Sequence, residues 1–280
     1  MRKIIFFYLI MFLSDANSQI LNMDERKGKD LETISTQTFI FKVDNKDSSF
    51  TQFGYFATGN DAHTGVRGIA FDEEYVYLSD TWHKSVKKVD IQKGEIVANK
   101  RLNARNKFTL ADITVFNDNL YVITDDTVVF ILDKNLTLLN TLSVPQDYNK
   151  NLGERKPIYW QTQDTLILHP ELEHGKQLSD FRIPVKLIYI DKNNRITSEI
   201  KLLKPNEYPL IRGYIKGKKY EILKQDGKYY FITEYGKLPL QSDIPTLKRY
   251  GAINFDFNES TLVYFDMDSS KFVLTVIRYK

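Results

Sequence analysis

Four short strand-like segments, each ended by a turn signal, fill Val66–Leu102 and constrain what the rest of the chain can become. Gly68–Asp72 (GIAFD) is the first, Tyr75–Ser79 the second, Val86–Asp90 the third and Glu95–Leu102 the fourth. A unit of about forty residues with four strands is the size of one β-propeller blade.

The unit recurs. Asp112–Phe116, Leu120–Thr124, Val128–Asp133 and Leu138–Val144 repeat the four segments in order. Tyr75–Asp80 aligns with Leu120–Asp125, and Lys88-Val89-Asp90 aligns with Ile131-Leu132-Asp133. The same slot is filled by Lys42-Val43-Asp44 before and by Tyr189-Ile190-Asp191 after, so aspartates recur at 44, 90, 133 and 191, in steps of 46, 43 and 58. The long step implies an insertion of about fifteen residues, and Pro170–Pro184 supplies it between the second and third strands of its unit. A fourth unit lies in Tyr214–Glu234. The last, Ala252–Arg278, has three strands, with strands at 38–56 left over. The N-terminus then completes the final blade, which removes open sheet edges. The predicted fold is an all-β propeller of five four-stranded blades, or six if 204–250 holds further strands.

Val66–Gly94 resembles a blade of the NHL-type repeat group. The pattern is Gly-apolar-Ala-apolar-Asp (Gly68–Asp72), then Tyr77-Leu78-Ser79-Asp80, then Val86–Asp90 and Gly94. The likeness is partial over 112–144, and later units lack the Gly-x-Ala opening. It implies a blade fold. It leaves activity open, since similar propellers include binding modules and metal-dependent lactonases.

The N-terminus carries an address. Arg2-Lys3 precedes an unbroken apolar run, Ile4–Leu13, and then Ala16 and Ser18 at signal-peptidase spacing. Ten apolar residues span about 15 Å as a helix, half a bilayer. The expected organisation is a signal peptide at 1–18, a polar N-terminal arm at 19–37 and one propeller domain at 38–280. Such a chain is exported, to periplasm, surface or medium, with no transmembrane segment in the mature chain. Cysteine is absent, which excludes disulfides, thiolate metal sites and a cysteine nucleophile. Net charge is +3, or about +2 without Arg2, Lys3 and Asp15. That balance gives no sign of a nucleic-acid partner, and a monomer is expected.

In a propeller, loops entering the inner strands and loops joining second to third strands share one face around the channel, and function concentrates in such loops. A basic residue precedes each inner strand: Arg67, Lys107, Lys156, Arg212 and Arg249. Converging on a channel mouth, they would focus an anion, and arginine can hold a carboxylate or phosphate bidentately. Trp82-His83, in a second-to-third loop, is a further contact point, since an exposed Trp beside polar groups suits glycan or peptide recognition; packing of Trp82 between blades is the competing reading. His169, Glu171, Glu173 and His174 lack metal-motif spacing, and Pro170 breaks any helix that would align the histidines. Asp80, Asp125 and the recurring aspartates read as turn staples accepting backbone N–H groups. No GxSxG, phosphate loop or dinucleotide fingerprint is present.

These observations favour a non-enzymatic propeller that recognises an anionic small molecule, glycan or protein partner at its channel mouth. The predicted ligand-binding residues are Arg67, Trp82, His83, Lys156, Arg212 and Arg249. No cofactor is required, although Ca²⁺ is compatible. The alternative is a divalent-metal-dependent hydrolase or lactonase, with Asp112 and Asn254 as thinkable channel ligands.

Overall fold

The computed structural model describes residues 29–44, 52–54, 56–58, 62–103, 110–124, 128–143, 157–162, 164–170, 183–203, 214–241, 254–267 and 269–280. Two elements precede the first blade: strand β1 (Thr33–Lys42) and a small hairpin, β2 (Phe56–Thr58) and β3 (Ala62–Thr64). Blade 1 follows as β4 (Val66–Phe71), β5 (Tyr75–Asp80), β6 (Ser85–Asp90) and β7 (Glu95–Arg101). Blade 2 is β8 (Leu110–Phe116), β9 (Asn119–Thr124), β10 (Val128–Asp133) and β11 (Leu138–Ser143). Blade 3 is β12 (Pro157–Gln161), β13 (Thr165–Pro170), β14 (Ile183–Asp191) and β15 (Ile196–Leu203). Blade 4 is β16 (Tyr214–Ile215), β17 (Lys218–Gln225), β18 (Lys228–Thr233) and β19 (Gly236–Leu240). Blade 5 takes β20 (Phe255–Phe257), β21 (Thr261–Met267) and β22 (Lys271–Tyr279) from the C-terminal end, and β1 pairs antiparallel with β22 as its fourth strand.

Five antiparallel sheets in a ring make a five-bladed β-propeller. The split final blade is as the sequence predicts, with two corrections at its margin. The closing strand begins at Thr33, inside the stretch read as a polar arm, because Thr33–Gln37 already alternates against Val276–Tyr279. Among the described residues one N-terminal strand joins blade 5. Phe53, read as part of a second, instead forms a parallel bridge with Val43. Residues 1–28, including the expected signal peptide, and most of the 170–184 insertion lie outside the described residues.

Asp90, Asp133 and Asp191 each close a third strand by an Asx turn, whereas Asp44, read into the same slot, follows β1, the fourth strand of blade 5. Asp90 accepts the N–H groups of Gln92 and Lys93 at 2.9 and 3.0 Å. Asp133 accepts those of Asn135 and Thr137 at 2.9 and 2.7 Å, and Asp191 those of Asn193 and Arg195 at 2.8 and 2.9 Å. The repeat visible in the sequence is therefore a repeat of turn chemistry, which fixes register in each outer hairpin.

Among the described residues the core lies between blades, as apolar layers at the joints 5–1, 1–2, 2–3 and 4–5. Ala70, Tyr77 and Val86 of blade 1 pack against Leu120, Val122 and Phe130 of blade 2. Tyr121, Ile123 and Ile131 of blade 2 meet Leu166, Leu168 and Ile188 of blade 3. At the joint between blades 5 and 1, Phe53 stacks on Phe272 at 4.1 Å between centroids and meets Phe41 edge-on. Full burial of each such side chain is worth about 1.5–3 kcal/mol. Inner strands also press on one another. A Cβ on Gly68 would fall 2.9 Å from Ile113 N and 3.0 Å from Asp112 Cα, so the glycine of the GIAFD segment is there for a close approach of backbones.

Candidate functional site

The entry face of blade 1 is built around the β5–β6 turn. Val66 pairs with Asp80 and Asp80 with Ser85, so the start of the inner strand and the Thr81–Lys84 turn stand at one end of the sheet. Arg67 occupies a β-bulge there, between Val66 and Gly68, and is half-buried. The matching bulge of blade 2 lies between Leu110 and Asp112 and carries Ala111, which is buried. The basic position of blade 1 thus has no basic counterpart at the same place in blade 2. Lys107, Lys156, Arg212 and Arg249 lie outside the described residues.

Trp82 is 37% exposed, and the backbone of Gly54 lies against it: a Cβ there would fall 2.3 Å from the indole Cδ1. His83, placed by the sequence reading at an exposed contact point, is buried. Its Nδ1 lies 2.7 Å from Asp80 Oδ2, and its backbone N–H donates to Asp80 Oδ1 at 3.2 Å. The imidazole turns inward because Asp80 is fully buried and needs donors. Asp80 also accepts the Gly54 N–H at 3.1 Å, which ties the 52–54 segment to blade 1. The turn-staple role expected of Asp80 is what the geometry gives. Asp125 lies outside the described residues.

The strongest charge constellation sits at the far end of the channel. The Lys216-Gly217 turn joins first to second strand of blade 4, hence it lies opposite the entry face. Both residues have positive φ, 49° and 85°, as a two-residue hairpin turn of mirror type requires. Lys216 is buried; its Nζ donates to Ile69 O on the inner strand of blade 1 and lies 3.2 Å from Asp256 Oδ2 on that of blade 5. Lys218 Nζ donates to Asp256 Oδ1 and to Phe257 O. Three blades thus meet at two ammoniums and one carboxylate. Burial pushes the Asp256 carboxyl up, but the ammoniums of Lys216 and Lys218 outweigh it and hold the group below its usual 3.8. Burial lowers the Lys218 ammonium, against the pull of Asp256.

Each ammonium has three donors and, among the described residues, two acceptors, so each retains one N–H, and the trio keeps a unit of positive charge that Glu234 offsets in part beside Lys218. Spare N–H donors on a cation are chemically suited to an anionic oxygen group. The sequence reading passed over these lysines, because the string KGKK (216–219) looks like a solvated turn. The one available signal was a lysine at the first position of a mirror-type turn immediately after an inner strand.

For a metal, the geometry offers less. Asp112 is buried and turns Oδ1 onto its neighbour's N–H, Ile113, at 2.7 Å. Asn254 Nδ2 donates to Phe265 O at 3.4 Å. Among the described residues no three His, Asp or Glu side chains converge as a cation site needs. Nor is any described helix long and apolar enough to cross a membrane.

The class is thus a five-bladed β-propeller whose channel holds a cationic cluster. No family model matches the sequence, and no curated protein matches it. Among solved structures the chain is similar to BamB from Moraxella catarrhalis, at 12% identity, covering 89% of this chain and 99% of that one, with a TM-score of 0.36. It is similar to streptogramin B lyase at 13% identity, covering 76% and 65%, TM-score 0.36. Glutaminyl cyclase from Myxococcus xanthus gives 9% identity, 90% and 97% coverage, and a TM-score of 0.42. At such identities and scores the likenesses bear on neither ligand nor reaction.

Proposed function

We propose that this chain is an exported, non-enzymatic propeller of NHL-like type that binds the anionic group of a small molecule, glycan or protein partner in its central channel. The observation that carries the reading is the sharing of Asp256 by Lys216 and Lys218 where blades 1, 4 and 5 meet, which leaves the trio a surplus positive charge, offset in part by Glu234, and, among the described residues, two spare N–H donors. A charge set in a low-dielectric wall acts more strongly than one in water. Arg67, at the opposite mouth, is the second contact. The apolar run at Ile4–Leu13 supports the exported location.

The test is titration with inorganic phosphate and with acetate at fixed ionic strength, read by thermal shift and calorimetry. Lys218→Met keeps the Lys216–Asp256 pair and removes the surplus charge, so it is expected to weaken binding at least tenfold. Equal binding by wild type and Lys218→Met would refute the channel assignment. Stoichiometric Ca²⁺ in protein purified without chelators would favour the metal-dependent hydrolase instead.

A further inference from the structure

Blade 1 places a lysine where its neighbours place core side chains. Leu78 pairs with Lys87, and Val122 with Phe130. Lys87 therefore matches Phe130 of blade 2, and Leu168 pairs with Ile188 at the same place in blade 3. Lys87 is fully buried at the joint between blades 5 and 1, with the Phe53 ring 5.5 Å from its Nζ. Its Nζ has no hydrogen-bond acceptor among the described residues. The nearest carboxylate oxygen is Oδ2 of Asp80, 3.8 Å away and also fully buried. The two residues stand on adjacent antiparallel strands, diagonal across one face, because Ser85 opposite Asp80 is two residues from Lys87.

We propose that Asp80 and Lys87 are joined by an intramolecular isopeptide bond. Transfer of one proton within the pair leaves a neutral amine and a carboxylic acid. Lys87 Nζ then attacks Asp80 Cγ, a C–N bond forms, the Cγ–Oδ1 bond breaks, and Oδ1 departs as water with a proton from the amine. Nothing is oxidised and no co-reactant is needed. Oδ2 carries the negative charge of the tetrahedral intermediate; it already accepts the Gly54 N–H at 3.1 Å and lies 2.7 Å from His83 Nδ1, a second donor in the tautomer protonated there. Donors fixed on an oxygen where charge develops lower the barrier, and the fold brings the amine to 3.8 Å from the carboxyl oxygen, so a small approach completes the attack geometry. Burial lowers the Lys87 pKa, which favours the nucleophilic amine. The product is a neutral amide in place of two buried charges, and a covalent cross-link in a chain without cysteine.

The experiment is mass spectrometry of the full chain, intact and after denaturation and trypsin. The expected result is an intact mass short by one water, together with a branched peptide in which Gly68–Lys84 is attached to Ser85–Lys88 through Lys87, with no cleavage after Lys87. Lys87→Met suits the apolar joint and is expected to fold and show its full mass. Asp80→Asn is expected to form the same bond with loss of ammonia. An intact mass equal to that of the sequence, with Ser85–Lys87 released as a free peptide, would overturn the proposal, whatever the variants do.

Discussion

Asp256 is the residue whose loss the molecule can least absorb. It answers two ammoniums at the meeting of three blades, so Asp256→Asn leaves like charges together without the carboxylate they share, with only the weaker pull of Glu234 on Lys218 in its place. Breaking such a buried set costs about 3–5 kcal/mol, and the denaturant midpoint should fall accordingly. The pH dependence has a definite sign. The folded carboxyl is held below 3.8, so its contribution is full above that value and drains away as pH falls through the folded pKa. Wild type should therefore lose stability below pH 3.8 along a limb that Asp256→Asn lacks, measurable by denaturant titration at stepped pH. Gly68 is a second sensitive point. Gly68→Ala forces a methyl against the backbone of Asp112 and Ile113, and overpacking of this kind costs about 1–3 kcal/mol. The glycine was legible as part of a blade pattern. The lysines were not, since, apart from the turn position of Lys216, KGKK does not distinguish an ammonium reaching into a channel from one in water.

At the scale of elements, closure depends on β1 and on the short strap before it. Leu31 N–H donates to Lys237 O at 2.8 Å, and Lys237 N–H to Lys29 O at 2.9 Å, so the chain grips the outer strand of blade 4 before entering blade 5. Gly236, at φ 147°, lets that grip form, because a Cβ there would fall 2.7 Å from Lys29 O. A chain starting at Asp44 would expose Phe272, Leu274 and the edge of β22, and is expected to aggregate; light scattering on refolding checks this, and added peptide Leu31–Lys42 should suppress it. Turn chemistry made these elements readable, through Asp90, Asp133 and Asp191. Register was less so. Alignment of Asp80 with Asp125 suggests that Tyr77 matches Val122, yet Tyr77 pairs with Ala70 as Tyr121 pairs with Thr114. The extra residue of blade 1 lies in the Thr81–Lys84 turn, and a one-residue slip exchanges the two faces of a strand. In blade 4, Gly236 and Pro239 disguised β19, although an outermost strand tolerates proline.

Over the whole molecule, no blade owns a complete core, because each apolar layer is shared by two neighbours. Loss of one joint should therefore spread. Unfolding followed by Trp82 fluorescence in a Trp160→Phe background, which reports on the joint between blades 5 and 1, should coincide with the loss of far-ultraviolet strand signal. Blade number was readable from strand-sized segments and from the turn aspartates of blades 1, 2 and 3, whereas the channel's chemistry is assembled from residues remote in sequence, Ile69, Lys216 and Asp256. The pairing of β1 with β22 has a further consequence for biosynthesis. On the ribosome the earliest of the paired strands has no mate until the last has emerged, so Phe39 and Phe41, which the closed ring covers, travel unsheltered through nearly the whole of translation.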